Sequence, residues 1–364
     1  MPVVLTELQR IPTSGARAVE VFTIDDLELL AVAQLANDLP DRKPSMNGGD
    51  STTELLLLRR VEGCFQPFAT LPVPGGEDAE FFTIGDRAFL AAASIRTGSG
   101  PYQYQTSSSI FEWDGAGFAH FQAVPTFAAK QWKHWQIDGR HYLGLAQGVD
   151  LPGQAESNRD SIVYEWDGTS FVEHQRIPSR WAYNWHAFAV DGTHFVAHAE
   201  HLGASVLYRW DGTRLQPHQD LLAAGGRAFA TFDDDGRTYL VALAIAAPSV
   251  LLRWTGARFE VVQTLDGLGA REVTVVSLAG RIFVVRINFI LGSPASPQPV
   301  LTSEIYEFAA GSLHRVATFP TTGGTDVAVI DRDDRIELVV ANSLTPQLRF
   351  ANDSVVYALT AGQQ

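Results

Sequence analysis

Tyr164-Glu165-Trp166-Asp167-Gly168 is a phrase that recurs along this chain of 364 residues and decides its fold. Close copies occupy residues 111–115 and 208–212, and weaker copies occupy 252–256 and 306–311. The tryptophans at positions 113, 166, 210 and 254 are 53, 44 and 44 residues apart. A period of this size is typical of one four-stranded blade of a β-propeller.

Short alternating segments follow each copy, as in residues 171–178, 186–190 and 194–198. Asp-Gly pairs such as Asp191-Gly192 separate many of them, and glycine accepts the positive φ that a tight hairpin requires. No segment shows the sustained 3.6-residue apolar period of a helix. The sequence therefore predicts an all-β protein. The second segment of each repeat also carries an aligned glutamine, at Gln122, Gln175, Gln219 and Gln263.

The repeats number seven, and the last one is incomplete. The third strands of the blades are predicted near residues 54–61, 108–113, 161–166, 205–210, 249–254, 303–308 and 354–359. Residues 5–12 supply the missing fourth strand, because their sequence Gln9-Arg10-Ile11-Pro12 is identical to that of residues 175–178. We therefore expect one seven-bladed domain over residues 1–364, closed by the N-terminal strand so that no sheet edge is left exposed.

The repeated pattern resembles the epitempin (EPTP) repeat. It comprises Tyr-x-Trp-Asp-Gly-x-x-Phe, then a glutamine, then a Phe-x-Ile/Val-x-Gly-x-x-Tyr/Phe hairpin, and it recurs in at least five blades. This resemblance covers the whole chain and implies a seven-bladed propeller that binds a partner. It does not imply a reaction. Some EPTP-like propellers carry a cation in the channel, so the resemblance also raises a channel cation as a candidate.

Composition limits the class of partner and the compartment. The formal charge of −14 argues against nucleic acid and against anionic membrane surfaces, both of which need a basic protein surface. The single cysteine, Cys64, permits no intramolecular disulfide, and the first residues show no signal peptide or membrane span. We therefore expect a soluble, cytoplasmic protein.

Function is predicted on the face of the ring that carries the connections between the second and third strands of each blade. Four of these connections are long and rich in Pro, Gly, Ser and Asn, at residues 37–53, 96–107, 148–160 and 291–302. Binding usually resides in long irregular loops on a rigid scaffold. The alternative is that these loops are tolerated insertions.

The first strand of each blade enters the central channel on this same face. Alignment of these strands places seven residues at one equivalent position: Glu20, Glu80, Lys133, His186, Ala230, Thr274 and Ala328. Two residues earlier lie Ala18, Asp78, Gln131, Asn184, Ala228, Glu272 and Asp326, and just upstream lie Arg17, Trp181, Tyr183, Arg227 and Arg271. Polar residues that do not repeat at a repeated position are candidates for a binding site. The alternative is a solvated channel whose charges compensate one another.

Three tryptophans, Trp132, Trp181 and Trp185, fall outside the repeat and lie near Tyr183. An aromatic wall beside a few polar groups describes a small-molecule pocket. The alternative is that these side chains pack between blades. The first functional prediction is therefore a ligand-binding propeller with a small-molecule partner, and a protein-interaction ring is the third.

The second functional prediction is a metal-independent enzyme, for instance in a natural-product pathway. Glu80, Lys133 and His186 would act as acid–base groups, because a carboxylate close to an ammonium or imidazole tunes pKa values towards neutrality. No nucleotide, flavin, haem or nicotinamide motif is present, so no organic cofactor is expected. Channel carboxylates could hold a structural Ca²⁺, which prefers oxygen ligands. These carboxylates are Glu20, Asp78, Glu80, Glu272 and Asp326.

Overall fold

The computed structural model describes residues 3–150 and 160–362, and strands make up nearly all of its regular structure. In chain order the strands are β1 (Val3–Ser14), β2 (Ala16–Ile24), β3 (Leu27–Gln34), β4 (Leu55–Val61), β5 (Cys64–Leu71), β6 (Gly76–Ile84), β7 (Arg87–Ser94), β8 (Gln105–Trp113), β9 (Phe118–Phe127), β10 (Ala129–Ile137), β11 (Arg140–Gln147), β12 (Ser161–Trp166), β13 (Phe171–Ile177), β14 (Ala182–Val190) and β15 (Thr193–Glu200). They continue as β16 (Ser205–Trp210), β17 (Leu215–Leu222), β18 (Gly226–Asp234), β19 (Arg237–Ala244), β20 (Ser249–Trp254), β21 (Phe259–Leu265), β22 (Ala270–Leu278), β23 (Arg281–Asn288), β24 (Leu291–Ser293), β25 (Ser296–Gln298), β26 (Val300–Ala309), β27 (Ser312–Thr322), β28 (Gly324–Arg332), β29 (Arg335–Asn342) and β30 (Ala351–Ala361). The all-β prediction is confirmed.

Within the described residues, the strands form seven antiparallel four-stranded sheets, the blades of a propeller. Their orders from the channel outward are β2-β3-β4-β5, β6-β7-β8-β9, β10-β11-β12-β13, β14-β15-β16-β17, β18-β19-β20-β21, β22-β23-β26-β27 and β28-β29-β30-β1. We call these positions strands A to D of blades 1 to 7. Each A strand contacts the A strands of the two neighbouring blades, and β2 of blade 1 contacts β28 of blade 7, so the ring is complete.

The N-terminal strand closes this ring, as the sequence predicts. Strand β1 pairs antiparallel with β30 along its whole length, from Val3 opposite Ala361 to Ser14 opposite Ala351. Blade 7 is thus built from both ends of the described chain. All seven third strands lie where the repeat places them, and Cys64 lies exposed at the start of β5.

The Trp-Asp-Gly phrases form the hairpins between strands C and D. In blade 4, Asp211 Oδ1 accepts hydrogen bonds from the backbone N–H groups of Thr213 and Arg214. In blade 3, Asp167 Oδ1 does the same for Thr169 and Ser170. The aspartate side chain therefore supplies the acceptor that turns the chain, and the following glycine has a positive φ.

The repeated glutamines join neighbouring blades at their outer edges. The side-chain amide of Gln219 donates to the carbonyl of Phe259 and accepts from its N–H, at 2.7 and 2.8 Å, so one side chain bridges the D strands of blades 4 and 5. Among the described residues the same two-bond contact is made by Gln9, Gln122, Gln175, Gln219 and Gln263. Gln9 bonds to the backbone N–H and carbonyl of Phe65 and so joins blades 7 and 1.

The face predicted to carry function is formed by the turns from strand D to strand A and by the B-to-C loops. Of the four long loops, the one at 148–160 lies largely outside the described residues. The loop of blade 6 contains the small hairpin of β24 and β25. No helix in the described part of the chain has the length and apolar character needed to span a membrane.

The glutamine contacts predict a measurable contribution to stability. Replacement of Gln219 by alanine removes two hydrogen bonds and leaves the backbone groups of Phe259 without their partner, so the free energy of unfolding should fall by about 2 kcal/mol. Urea unfolding followed by tryptophan fluorescence measures the change. Gln66→Ala is the control, because Gln66 lies exposed on the D strand of blade 1. An equal effect of the two substitutions would contradict the role assigned to the amide.

Candidate functional site

Two cavities meet on the axis of the ring. One, of about 430 Å³, is the central channel, lined by the A strands. The other, of about 690 Å³, is a funnel that opens on the face of the long loops. Six residues line both cavities and form the floor of the funnel: Arg17, Glu77, Lys130, Tyr183, Arg227 and Arg271.

A β-bulge at the start of every A strand puts these side chains at the mouth. In β6 the register shifts between Gly76 and Asp78, and in β10 between Ala129 and Gln131. A bulge adds one residue that has no pairing partner and turns its side chain away from the regular alternation. We call the bulge residues the mouth ring: Arg17, Glu77, Lys130, Tyr183, Arg227, Arg271 and Thr325.

The turn before each A strand fixes this bulge. In blade 2, the carbonyl of Gly75, two residues before Glu77, accepts the N–H of Ile95, the first residue after the B strand. The equivalent hydrogen bond is present in every blade. Gly75 has a φ of +55°, and a Cβ there would overlap the carbonyl oxygen of Arg96. A glycine is therefore required at this position.

Glu77 is the carboxylate of the mouth ring. Its oxygens lie 3.4 Å from Lys130 Nζ, 3.5 Å from Arg271 Nη2 and 3.8 Å from Arg17 Nε. Burial opposes ionisation of Glu77, but Lys130, Arg17 and Arg271 together lower its pKa to about 2. One buried carboxylate is thus shared by three cations.

Arg227 and Tyr183 form the other side of the mouth ring. The Arg227 guanidinium carbon lies 3.8 Å from the centre of the Tyr183 ring, and its Nη1 donates to the carbonyl of Gly226 at 2.8 Å. Burial by itself would raise the pKa of Tyr183, yet Arg227, Lys130 and Arg271 lower it to about 8. The cations therefore stabilise negative charge at this point more strongly than burial opposes it.

The wall of the funnel is a second ring that sequence reasoning missed. It consists of the residues that follow the B strands and donate to the D-to-A turns, and we call it the wall ring. In the blades where its member is large, it comprises Leu35, Ile95, His201, Ile245 and Phe289. Met46, Tyr104 and Val149 of the long loops extend this apolar surface. Its signal in the sequence is a bulky residue directly after five of the seven B strands.

The predicted channel positions are equivalent in the structure, and several of their side chains join neighbouring blades. Asp78 Oδ2 accepts the N–H of Trp132 at 2.7 Å, and Gln131 Oε1 accepts that of Trp185 at 2.6 Å. Asp326 Oδ2 accepts the N–H of Val19 at 2.8 Å across the joint between blades 7 and 1. These three side chains have a structural role beside any part in binding.

Glu272 and Asn184 of the same ring also line the channel. Asn184 Nδ2 lies 3.5 Å from Glu272 Oε2, and the other oxygen of Glu272 accepts the N–H of Val273. Burial raises the pKa of Glu272 well above its usual range, and neighbouring Asp326 adds to this effect.

The three proposed acid–base residues are only partly brought together. Lys133 Nζ donates to Glu80 at 2.9 Å, whereas His186 Nε2 pairs with Thr231 Oγ1 at 3.0 Å. Glu80 keeps Lys133 protonated by raising its pKa, while burial, aided by Lys133, lowers the pKa of His186 to about 4. At neutral pH the lysine is a fixed cation and the imidazole is neutral.

Two of the predicted pocket tryptophans are buried between blades. Trp132 and Trp185 are 0% and 1% exposed and pack against Tyr164 and Trp135 respectively. Trp132 lines neither cavity, whereas Trp185 borders the channel, so its part in a binding site stays a prediction. Each occupies the alternate face of its A strand, next to a channel residue. Trp181 does line the funnel, where its ring stacks near Tyr183 at a centroid distance of 6.3 Å.

The channel carboxylates are the candidates for the predicted calcium site. Among the described residues, no cluster of three or more His, Cys, Asp or Glu side chains is arranged to hold one. Burial raises the pKa of Glu20 and Asp78 well above the usual range and that of Asp326 to about 6. The calcium site stays a prediction.

Comparisons with known proteins match the repeat and the fold. A family model described as EPTP domain matches residues 6–52, 65–114, 117–167 and 170–211. A human thrombospondin-type laminin G domain and EAR repeat-containing protein is 28% identical over 134 residues, which are 36% of this chain and 19% of the relative. The mouse protein of that name is 28% identical over 182 residues, 49% of this chain and 24% of the relative. The matched part is thus less than a quarter of each relative.

Among solved structures, the WD40 β-propeller domain of Doa1 is similar, with a TM-score of 0.58. The match covers 98% of this chain and 97% of that domain at 12% sequence identity. At this identity the likeness supports the fold alone, and it confirms the predicted β-propeller.

Two adjacent carboxylates should respond oppositely to substitution. Glu77→Gln removes the charge that balances three buried cations, and a pKa lowered from 4.5 to about 2 corresponds to about 3 kcal/mol of stability at pH 7. Because the pKa is lowered, this contribution is present above pH 4.5 and is lost as the pH falls towards 2. Urea unfolding between pH 2.5 and 8 measures it.

Asp78→Asn is the matched control for this experiment. The pKa of Asp78 is raised, so its charge opposes folding and the wild type should lose stability relative to the variant as the pH rises above 4. The amide oxygen retains the acceptor for Trp132. A loss of stability in Asp78→Asn equal to that in Glu77→Gln would contradict the assigned electrostatics.

Proposed function

Because the chain belongs to the EPTP domain family, a family of β-propellers, we propose that it is a binding protein whose funnel takes a small organic molecule. The fold suits a ligand- or protein-binding scaffold. The single observation that carries the proposal is the funnel, whose volume of about 690 Å³ lies in the range of small-molecule sites. Apolar side chains line its wall, and polar groups converge on its floor.

The position of the funnel supports a binding role. Its residues come from the D-to-A turns, the ends of the B strands and the long loops, which are the irregular segments on this face of the ring. Arg96 anchors the loop of blade 1, since it donates to Ser51 Oγ and to the carbonyls of Asn47 and Gly48. Because this part of the wall is already ordered, ligand binding does not carry the entropic cost of ordering the loop.

The other candidate functions have less support from the geometry. For an acid–base enzyme, Lys133 is held by Glu80 and His186 by Thr231, so neither is presented as a free proton acceptor. For a protein-interaction ring, the long loops form the surface, but their largest shared feature is a concave cavity. The enzyme and the protein partner therefore stay predictions.

A neutral dye tests whether the funnel binds small molecules. N-phenyl-1-naphthylamine fluoresces when it enters an apolar cavity, and its fluorescence should rise saturably with added protein at pH 7. Ala246→Trp fills the funnel from its exposed rim and should weaken dye binding at least about tenfold, the equivalent of ~1.4 kcal/mol.

The matched control is Val261→Trp. Val261 is 57% exposed on the D strand of the same blade and lies outside the funnel, so this variant should bind the dye as the wild type does. The proposal would be overturned if the dye showed no saturable binding, or if Ala246→Trp bound it as tightly as Val261→Trp.

A further inference from the structure

The mouth ring carries more positive than negative charge. Within the described residues it contains four cations, Arg17, Lys130, Arg227 and Arg271, and one carboxylate, Glu77. The protein as a whole has the opposite sign, with a formal charge of −14. A concentration of buried cations in an acidic protein is costly unless something compensates for it.

Glu77 compensates for only part of this charge. Its contacts with Lys130, Arg271 and Arg17 are 3.4 to 3.8 Å long, whereas direct charge-assisted hydrogen bonds are about 2.8 Å long. Arg227 donates to the carbonyl of Gly226 and to His201 Nδ1, and no carboxylate of the described residues lies within ion-pair distance of it.

Two of the guanidinium groups still have a donor without a partner. Arg17 and Arg227 are 7% and 4% exposed, and the Nε of each is buried without a hydrogen-bond acceptor among the described residues. Trp181 Nε1 of the funnel wall is in the same state. Atoms in this state also occur in the cores between blades, but these three belong to residues that line the funnel, where a bound ligand has room to supply the acceptor.

Other charged groups also lie near the mouth ring. Arg96 adds a further cation at the funnel wall. Glu200 accepts the N–H of Trp181, and its charge opposes the lowering of the pKa of neighbouring Arg227 by burial, so it offsets part of the positive charge there. Asp150 at the rim is half exposed. Below the ring, burial raises the pKa of Glu272.

We propose that the floor of the funnel is an anion site, and that the ligand is an amphiphilic organic anion whose carboxylate, sulfonate or phosphate lies on the mouth ring. This inference rests on the proposed function and specifies its ligand. The head group accepts hydrogen bonds from Arg17 and Arg227 and faces Lys130 and Arg271. The apolar body lies against the wall ring, and an aromatic body suits the faces of Trp181 and Phe289.

Three naphthalene probes of equal size test the head group. Isothermal titration calorimetry at pH 7 compares 2-naphthoate, 2-naphthamide and 2-naphthylmethylammonium. The anion should bind at least about tenfold more tightly than the amide, and the cation should not bind measurably. Arg227→Met and, separately, Arg271→Met should reduce naphthoate affinity about tenfold and leave naphthamide affinity unchanged. The control is Arg253→Met, an exposed arginine on the C strand of blade 5.

The pH dependence supplies a second readout. Burial raises the pKa of Tyr183, but Arg227, Lys130 and Arg271 lower it to about 8, and Glu77 acts against them. The Tyr183 ring faces these three cations, Trp181 and His201. Deprotonation adds a negative charge to the floor, so naphthoate affinity should fall as the pH rises from 7 to 9. Naphthoate affinity of Tyr183→Phe should fall less than that of the wild type over the same range.

The outcomes separate this inference from the proposed function. Equal affinity for the acid and the amide, or naphthoate binding unchanged in both arginine variants, would overturn the anion site and leave a funnel that binds small molecules. If neither the naphthalene probes nor the neutral dye bound, the proposed function itself would fail. Each variant is compared only if its near-ultraviolet circular dichroism spectrum matches that of the wild type, which shows that its tertiary structure is unchanged.

Discussion

One hydrogen bond, repeated around the ring, is the constraint on which the site depends. In each blade the N–H of the residue that follows the B strand donates to the carbonyl of the turn that leads into the A strand, as from Ile95 to Gly75 and from Ile245 to Gly225. The bond fixes the turn, and the turn fixes the bulge that follows. The same hydrogen bond therefore positions a wall-ring residue on the wall of the funnel and a mouth-ring residue on its floor.

This arrangement gives neighbouring residues of an A strand different contacts. Side chains one residue beyond the bulge, such as Asp78 and Gln131, accept backbone N–H groups of the next blade and hold the ring together. The repeated glutamines do the same at the outer edge. The mouth-ring side chains share no inter-blade hydrogen bond of this kind, so the residue type at this position differs between blades, as Arg17 and Thr325 illustrate. A repeated scaffold thus presents a non-repeating set of charges around one axis.

Much of the fold could be predicted from the sequence, because a strand repeat and its Asp-Gly hairpins are local signals. The closure by Gln9-Arg10-Ile11-Pro12 was recognisable because it copies a D strand. The site was less accessible. Alternation by itself does not reveal a bulge, so Glu77 and Lys130 were missed although Arg17 and Arg271 were noted. Trp132 was predicted to line a pocket because it is a non-repeating aromatic residue, but the alternation of its strand places its side chain between blades.

The central claim is that the mouth ring binds the anionic head of a ligand whose body fills the funnel. A crystal structure of the protein with 2-naphthoate tests it most directly. The account predicts a carboxylate within about 3 Å of the guanidinium groups of Arg17 and Arg227, with the naphthalene ring against Phe289 and Trp181. An empty funnel, or a ring bound with its carboxylate directed to solvent, would contradict it.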